Sequence, residues 1–365
     1  METISLFSYK GGVGRTYLTV QLARCLAALG KKVIVADFDF DAPSIPGSFS
    51  EKPNFYKEIS GGLYELVNQF INVKPRRDAK TTGGKNKYRE FVDKLNKYLI
   101  TVDVALNGTQ NDEATLDKDS GWIKVLPGGL VDRFEYWADI SSPEWVGLVR
   151  GKKGRYSIGE FIVETLQPAL EDIGADYLLI DTRAGVTHYF GLVRGFSQRM
   201  VMIYTPTDET RTVMGKYLLP ELKTHVSENS SQKWESFVLV AGRLPNEFMD
   251  KEEELYNDVI KFFINNMTPE MSDLAKLLKL SSDIKTYYDP SARVFDGRYS
   301  EEKNILSDNE DYQIVDLHLD ILRVLAALLP EIAEEAFRKF SDDLGIPDEK
   351  DMKIPSICKE DKRAL

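Results

Sequence analysis

The seven residues Lys10–Thr16, KGGVGRT, constrain this 365-residue chain more than any other stretch. They follow TISLFSY, an apolar run rich in β-branched and aromatic residues that reads as a short buried strand. After them Leu18, Leu22, Leu26 and Leu29 recur at helical spacing and Gly30 supplies a natural stop, which predicts a helix over Thr16–Leu29. KKVIVADFDF is then a second strand. Strand, glycine loop, helix and strand form a βαβ unit, and such a unit favours a parallel sheet.

The rest of the chain extends this pattern. WIKVLPGG, YLLIDTRAG, MVMIYTPT and FVLVAGRLP are near-continuous apolar runs that each end in polar or glycine-rich residues. Strands of an open α/β sheet behave this way where their C-terminal ends build the ligand crevice. Helices are expected between them, over Ile158–Ile173, Thr212–His225 and Glu252–Asn265. The expected fold is therefore α/β: a mostly parallel sheet flanked by helices on both faces, in one domain over residues 1–335. Residues 336–365 are polar, contain two prolines and read as a loosely docked tail. Residues 72–120 read as an insertion. Within Lys74–Lys97 nine Lys/Arg stand against three Asp/Glu. That fits a solvated helix with a flexible TTGGKNK loop, or a contact surface for nucleic acid or an acidic partner.

A loop between a buried strand and a helix start gathers backbone N–H groups and the positive helix end around one point, a ready anion site. Gly11, Gly12 and Gly14 let the backbone bend tightly and approach phosphate oxygens. Thr16, in the first helical turn, offers the hydroxyl that holds Mg²⁺ in such loops. Arg15 stands where a lysine is usual; it keeps the charge but adds bulk and a bidentate fork.

KGGVGRT resembles the deviant phosphate-loop pattern K-G-G-x-G-[K/R]-[S/T] of the MinD/ParA class of P-loop ATPases. The resemblance implies an ATP- and Mg²⁺-dependent switch with slow hydrolysis, in which two chains sandwich two nucleotides and Lys10 reaches the partner's nucleotide. It assigns nucleotide binding to Gly11, Gly12, Val13, Gly14, Arg15, Thr16 and Tyr17. VIVADFDFDAP resembles the family's second acidic motif, matching Asp39 to the residue that orients attacking water and Asp37 to one supporting the metal. YLLIDTRAG resembles the Walker B strand and places Asp181 near Mg²⁺. Arg243 and Pro245 end a strand where relatives touch the base. With DFDFDAP and DTRAGVT, the likeness narrows to a subgroup common in prokaryotic conflict and signalling operons, which implies a protein effector encoded nearby. It covers roughly Thr3–Pro245, with YYDPSARVFDG as a looser late match.

Several residues keep two readings at this level. Asp37 could cap a loop instead of serving a metal, and Asp41 could be interfacial or an N-cap. Arg183 could sense the γ-phosphate or pair with Asp39 or Asp41, and His188 is a lone histidine better suited to a structural role.

The formal charge of −11 argues against unspecific adhesion to DNA or anionic lipid, leaving only the basic segment as a nucleic-acid surface. Two cysteines far apart, Cys25 and Cys358, show neither disulfide nor zinc spacing and suit a cytoplasmic protein. No signal peptide, membrane span or C-terminal basic amphipathic helix is legible, so no membrane partner is expected. The competing readings are a nucleotide-holding scaffold with little hydrolysis, a ParA-like DNA or cargo positioner, and a small-molecule kinase or synthetase.

Overall fold

The computed structural model of the protein describes residues 1–49, 59–102, 121–151, 156–185, 187–204, 208–213, 235–244, 278–287 and 321–344. The strands are β1 (Glu2–Ser8), β2 (Lys32–Phe38), β3 (Ile100–Val102), β4 (Trp122–Leu126), β5 (Tyr177–Thr182), β6 (Arg199–Tyr204), β7 (Ser236–Leu244) and β8 (Leu278–Tyr287). The helices used below are α1 (Arg15–Ala28), α2 (Leu63–Phe70), α3 (Thr82–Tyr98), α4 (Phe134–Ile140), α5 (Asp208–Val213) and α6 (Ala333–Leu344). The chain divides into two compact units. The first holds Met1–Ser5 and Thr19–Ser197; the second holds Leu6–Leu18 and most of the chain from Gln198 onward.

In the first unit the strand order is β3-β4-β2-β5-β1, with β2 parallel to both β4 and β5 and β3 antiparallel to β4. In the second it is β1-β6-β7-β8, with β7 parallel to β6 and to β8. β1 gives residues to each unit. The expected α/β class with a mostly parallel sheet is what the protein adopts. Each apolar run forms its strand because both faces of the sheet are covered: all six residues of β5 and of β6 are buried. No helix of the described residues is long and apolar enough to cross a membrane.

The loop-closing helix forms as its leucines predict. Leu18, Leu22 and Leu26 are buried along α1, and Gly30 takes φ +74°. The Gly30 N–H then reaches the Ala27 carbonyl at 2.9 Å and the Lys31 N–H the Leu26 carbonyl at 3.0 Å, a Schellman closure that a side chain at Gly30 would strain. In the first unit an aromatic series runs through the core. Phe70, Phe91 and Phe161 meet edge to face at 5.2 and 5.6 Å, which fastens α3 to α2 and to the helical segment starting at Ile158.

Four expectations are corrected. TTGGKNK is not a loop: it is the start of α3, because the Thr81 hydroxyl accepts the Gly84 N–H at 3.1 Å and caps the helix. The stretch read as an insertion contains β3, and the late strand β8 ends at Tyr287, where the looser match YYDPSARVFDG begins. The helix expected over Ile158–Ile173 contains a π turn over Ile162–Leu166, immediately before Pro168. Proline donates no hydrogen bond and crowds the carbonyl four residues back, so the register slips by one residue there. Position 336, expected to open a loose tail, lies inside α6 with Ala336 and Phe340 buried. The helix over Glu252–Asn265, Pro245, and most of Thr212–His225 and YYDPSARVFDG fall outside the described residues, as does the side chain of Arg243.

Candidate functional site

The glycine loop belongs to the second unit. Ser8 ends β1, the backbone turns through residues 9–14, and α1 begins at Arg15 with the Leu18 N–H bonded to the Gly14 carbonyl at 2.9 Å. The positive end of α1 is thereby directed at the loop. Gly12 and Gly14 adopt φ of +72° and +93°, the left-handed region that side chains resist. At Gly11 and Gly14 the space a Cβ would occupy has no neighbouring atom within 4 Å. Val13 is buried and anchors the turn, while Gly11 and Gly12 are exposed and Arg15, Thr16 and Tyr17 are half-buried.

Ser8, which sequence reasoning passed over, organises this loop. Its hydroxyl donates to the Lys10 carbonyl at 2.9 Å and accepts from Arg15 Nη1 at 3.2 Å. Its position after a buried strand carried no warning, since serine is common there. The Lys10 ammonium extends away from the loop to Glu209 of α5, with Nζ to Oε2 at 2.5 Å. Lys10 is 40% and Glu209 62% exposed.

The acidic residues belong to the first unit. In DFDFDAP the phenylalanines serve as anchors. Phe38 and Phe40 are both fully buried; Phe40 stacks on Tyr189 at 5.4 Å, and its carbonyl accepts the Tyr136 hydroxyl at 2.7 Å. Beside them Asp37 and Asp39 turn toward the backbone. Asp37 accepts three N–H groups: Asp39 at 3.1 Å, Ser44 at 2.8 Å and Ile45 at 3.0 Å. Asp39 accepts the Ala42 N–H at 3.2 Å through Oδ1, closing the turn that follows the strand.

Strand register brings Asp37 and Asp181 together. The two are direct Cα partners in the parallel β2–β5 ladder, and both are fully buried. Burial first, and the Asp181 carboxylate second, push the Asp37 carboxyl up to about 8, against the pull of its backbone donors. Two adjoining buried carboxyls of this kind suit a divalent cation, which would offset both the burial and the Asp181 repulsion that raise Asp37. Among the described residues no group of three or more His, Cys, Asp and Glu could hold a metal by itself. A magnesium site made of one or two carboxylates completed by phosphate oxygens needs no such group.

Arg183 forms an ion pair with Asp41, which selects between the pairings left open by the sequence. Both residues are about two-fifths exposed. His188 packs beside Tyr189, with ring centroids 4.6 Å apart, and burial followed by the nearby Arg150 lowers its imidazole below the ordinary value.

The basic segment is partly self-neutralised. Lys74 lies over the Tyr156 ring, Arg76 pairs with Glu164, and Arg77 pairs with Glu171 and Asp172. On α3 three of the remaining cations, Arg89, Lys94 and Lys97, line a 470 Å³ surface cleft together with Glu90, Asp93, Asn86 and, from α2, Gln69.

A 59-residue stretch is 48% identical to the cytosolic Fe-S cluster assembly factor CFD1 of Yarrowia lipolytica, covering 16% of this chain and 20% of that protein. The corresponding factor of Emericella nidulans is 27% identical over 185 residues, 50% of this chain and 46% of that protein. The chain thus spans less than half the length of either relative. A solved structure of the septum site-determining protein MinD with Mg-ADP, from Pyrococcus horikoshii, is 15% identical with a TM-score of 0.45, covering 88% of this chain and 95% of that one. The profile of the CobQ/CobB/MinD/ParA nucleotide binding domain matches residues 4–330, so the chain belongs to that nucleotide-binding family.

Proposed function

We propose that the protein is a Mg-ATP-dependent switch that pairs into a nucleotide-sandwich homodimer, hydrolyses slowly and controls a protein effector encoded nearby. The observation that carries nucleotide binding is the loop itself: two left-handed glycines and open space at Gly11 and Gly14, at the start of a 14-residue helix. A phosphate fits such a cradle, since backbone N–H groups and the helix end supply the positive field without side-chain bulk.

The proposed roles follow from chemistry and from the resemblance. Gly11, Gly12, Val13, Gly14, Arg15, Thr16 and Tyr17 hold the nucleotide, with the Arg15 fork on phosphate oxygens. Thr16, Asp37 and Asp181 hold Mg²⁺, which supplies charge neutralisation during phosphoryl transfer. Asp39 orients the attacking water. Its place at the start of a tight turn holds the carboxylate in one orientation, which a water-positioning group requires. Arg243 and Pro245 contact the base, and Lys10 completes the partner's site. A cytoplasmic location and a role in a conflict or signalling operon complete this reading.

Iron–sulfur cluster assembly, named for the curated relatives, is not part of this proposal. Clusters of this type are held by several accessible cysteine thiolates. This chain has two cysteines, and burial pushes the Cys25 thiol up to about 12.

Light scattering of wild type and Lys10→Ala with Mg-ATP or Mg-ADP tests the switch. Wild type should double in mass with Mg-ATP alone, and the variant should stay monomeric while still binding nucleotide. Dimers that persist unchanged in the variant would remove Lys10 from the proposed interface. Phosphate release at background in the wild type would favour a scaffold without hydrolysis.

A further inference from the structure

We propose that Glu209 is a latch that holds Lys10 within its own chain, so that dimerisation proceeds by exchanging this carboxylate for the partner's phosphates. The inference rests on the sandwich reading above and adds to it the group that regulates the signature lysine.

The geometry is specific to these two side chains. Lys10 leaves the loop before its glycines, and 199 residues later Glu209 stands in the first turn of α5. Their contact is a hydrogen-bonded ion pair between two side chains that both reach solvent. A lysine that reaches into a second chain cannot keep this bond without carrying a carboxylate toward phosphate, where the two anions repel. Breaking the pair is therefore a step on the way to the dimer.

Exposure sets the size of the effect. With Lys10 at 40% and Glu209 at 62% exposure, solvent screens the pair. Exposed ion pairs shift an equilibrium by about 1.4- to 5-fold each. A dimer breaks two, so removing the latch strengthens association by about 2- to 25-fold. That suits a switch, because the pair biases the monomer without trapping it. Arg183 on Asp41 repeats the arrangement in the other unit, a motif arginine held by a nearby carboxylate.

The test compares wild type, Glu209→Gln, Lys10→Ala and the double variant by light scattering across a Mg-ATP titration, at low and at high salt. The expected result is that Glu209→Gln dimerises at lower protein concentration, that its advantage shrinks with salt, and that it gains nothing on Lys10→Ala. Weaker dimerisation of Glu209→Gln would overturn the latch and make Glu209 a positioning group for Lys10 in the assembled dimer. Unchanged dimerisation, with Lys10→Ala monomeric, would overturn it while leaving the sandwich intact. If Lys10→Ala dimerises like wild type, the sandwich reading itself fails and the latch falls with it.

Discussion

At Asp37 three backbone N–H groups converge on one carboxyl that burial and Asp181 push up to about 8. Burial and Asp181 both favour its protonated form, and its work in the chain alone is to organise the turn leading to Ile45. Replacement by alanine leaves those donors without an acceptor, the Ile45 N–H in a buried setting. Unsatisfied buried donors cost about 1–3 kcal/mol each, and two of the three bonds are only part-buried, so Asp37→Ala should lose about 2–4 kcal/mol in total. Relief of repulsion from Asp181 offsets little, because the protonated form already avoids most of it. Asp37→Asn keeps an oxygen for Ser44 and Ile45 and should lose about half as much. Urea unfolding in magnesium- and nucleotide-free buffer measures both; equal losses would show that hydrogen bonding is not what Asp37 supplies. The sequence named this residue but left cap and metal ligand as alternatives; the three backbone donors establish the capping role, and the register partner Asp181 puts a second carboxyl beside it.

Among the elements, those that periodicity made legible are the ones whose burial is nearly complete. β5 and β6 read as continuous apolar runs because neither face meets water, and α1 read as a helix because its leucines share a stripe. β3, with three residues, is too short to show a period, and β8 carries Ser281, Ser282 and Asp283 in mid-strand while its pairing with β7 is broken by register shifts. α3 was misread at its start because Gly83 and Gly84 argue for a loop; the Thr81 cap outweighs them. α1 also carries Cys25, whose thiol burial pushes up from 9.0 to about 12, with Arg24 opposing weakly. An acid whose folded value is raised stays protonated in the fold and ionises once unfolded. Its contribution to stability therefore holds below about pH 9 and falls as pH rises from 9 toward 12. In a Cys358→Ser background at pH 9, iodoacetamide should leave Cys25 unmodified in native protein and alkylate it in urea. Equal rates in both would show that the thiol is not sequestered.

For the molecule as a whole, the sequence displayed the family through local motifs, but the pairing of those motifs with distant partners was hidden. Glu209 meets Lys10 across 199 residues, which no local pattern encodes, whereas the Arg183–Asp41 pair was one of the alternatives the motifs offered. Both meetings join a motif cation to an acid in the same chain, so these two cations have a partner before any second chain arrives, and a second chain has to offer them more than a single carboxylate. Nucleotide is the proposed addition, and its signature is thermodynamic. A ligand at 100 times its dissociation constant stabilises a fold by about 2.7 kcal/mol whatever the protein concentration. A ligand that also drives dimerisation makes the melting temperature climb with protein concentration, because unfolding then separates two chains. Thermal melts across a hundredfold range of protein concentration should therefore rise with concentration in Mg-ATP, stay flat in Mg-ADP, and stay flat for Lys10→Ala in either nucleotide. The Lys10→Ala melt should still lie above its nucleotide-free value, since the proposal gives the phosphates to the glycine loop and not to the lysine ahead of it. Flat melts for wild type in Mg-ATP would leave a nucleotide-binding protein that works as a single chain.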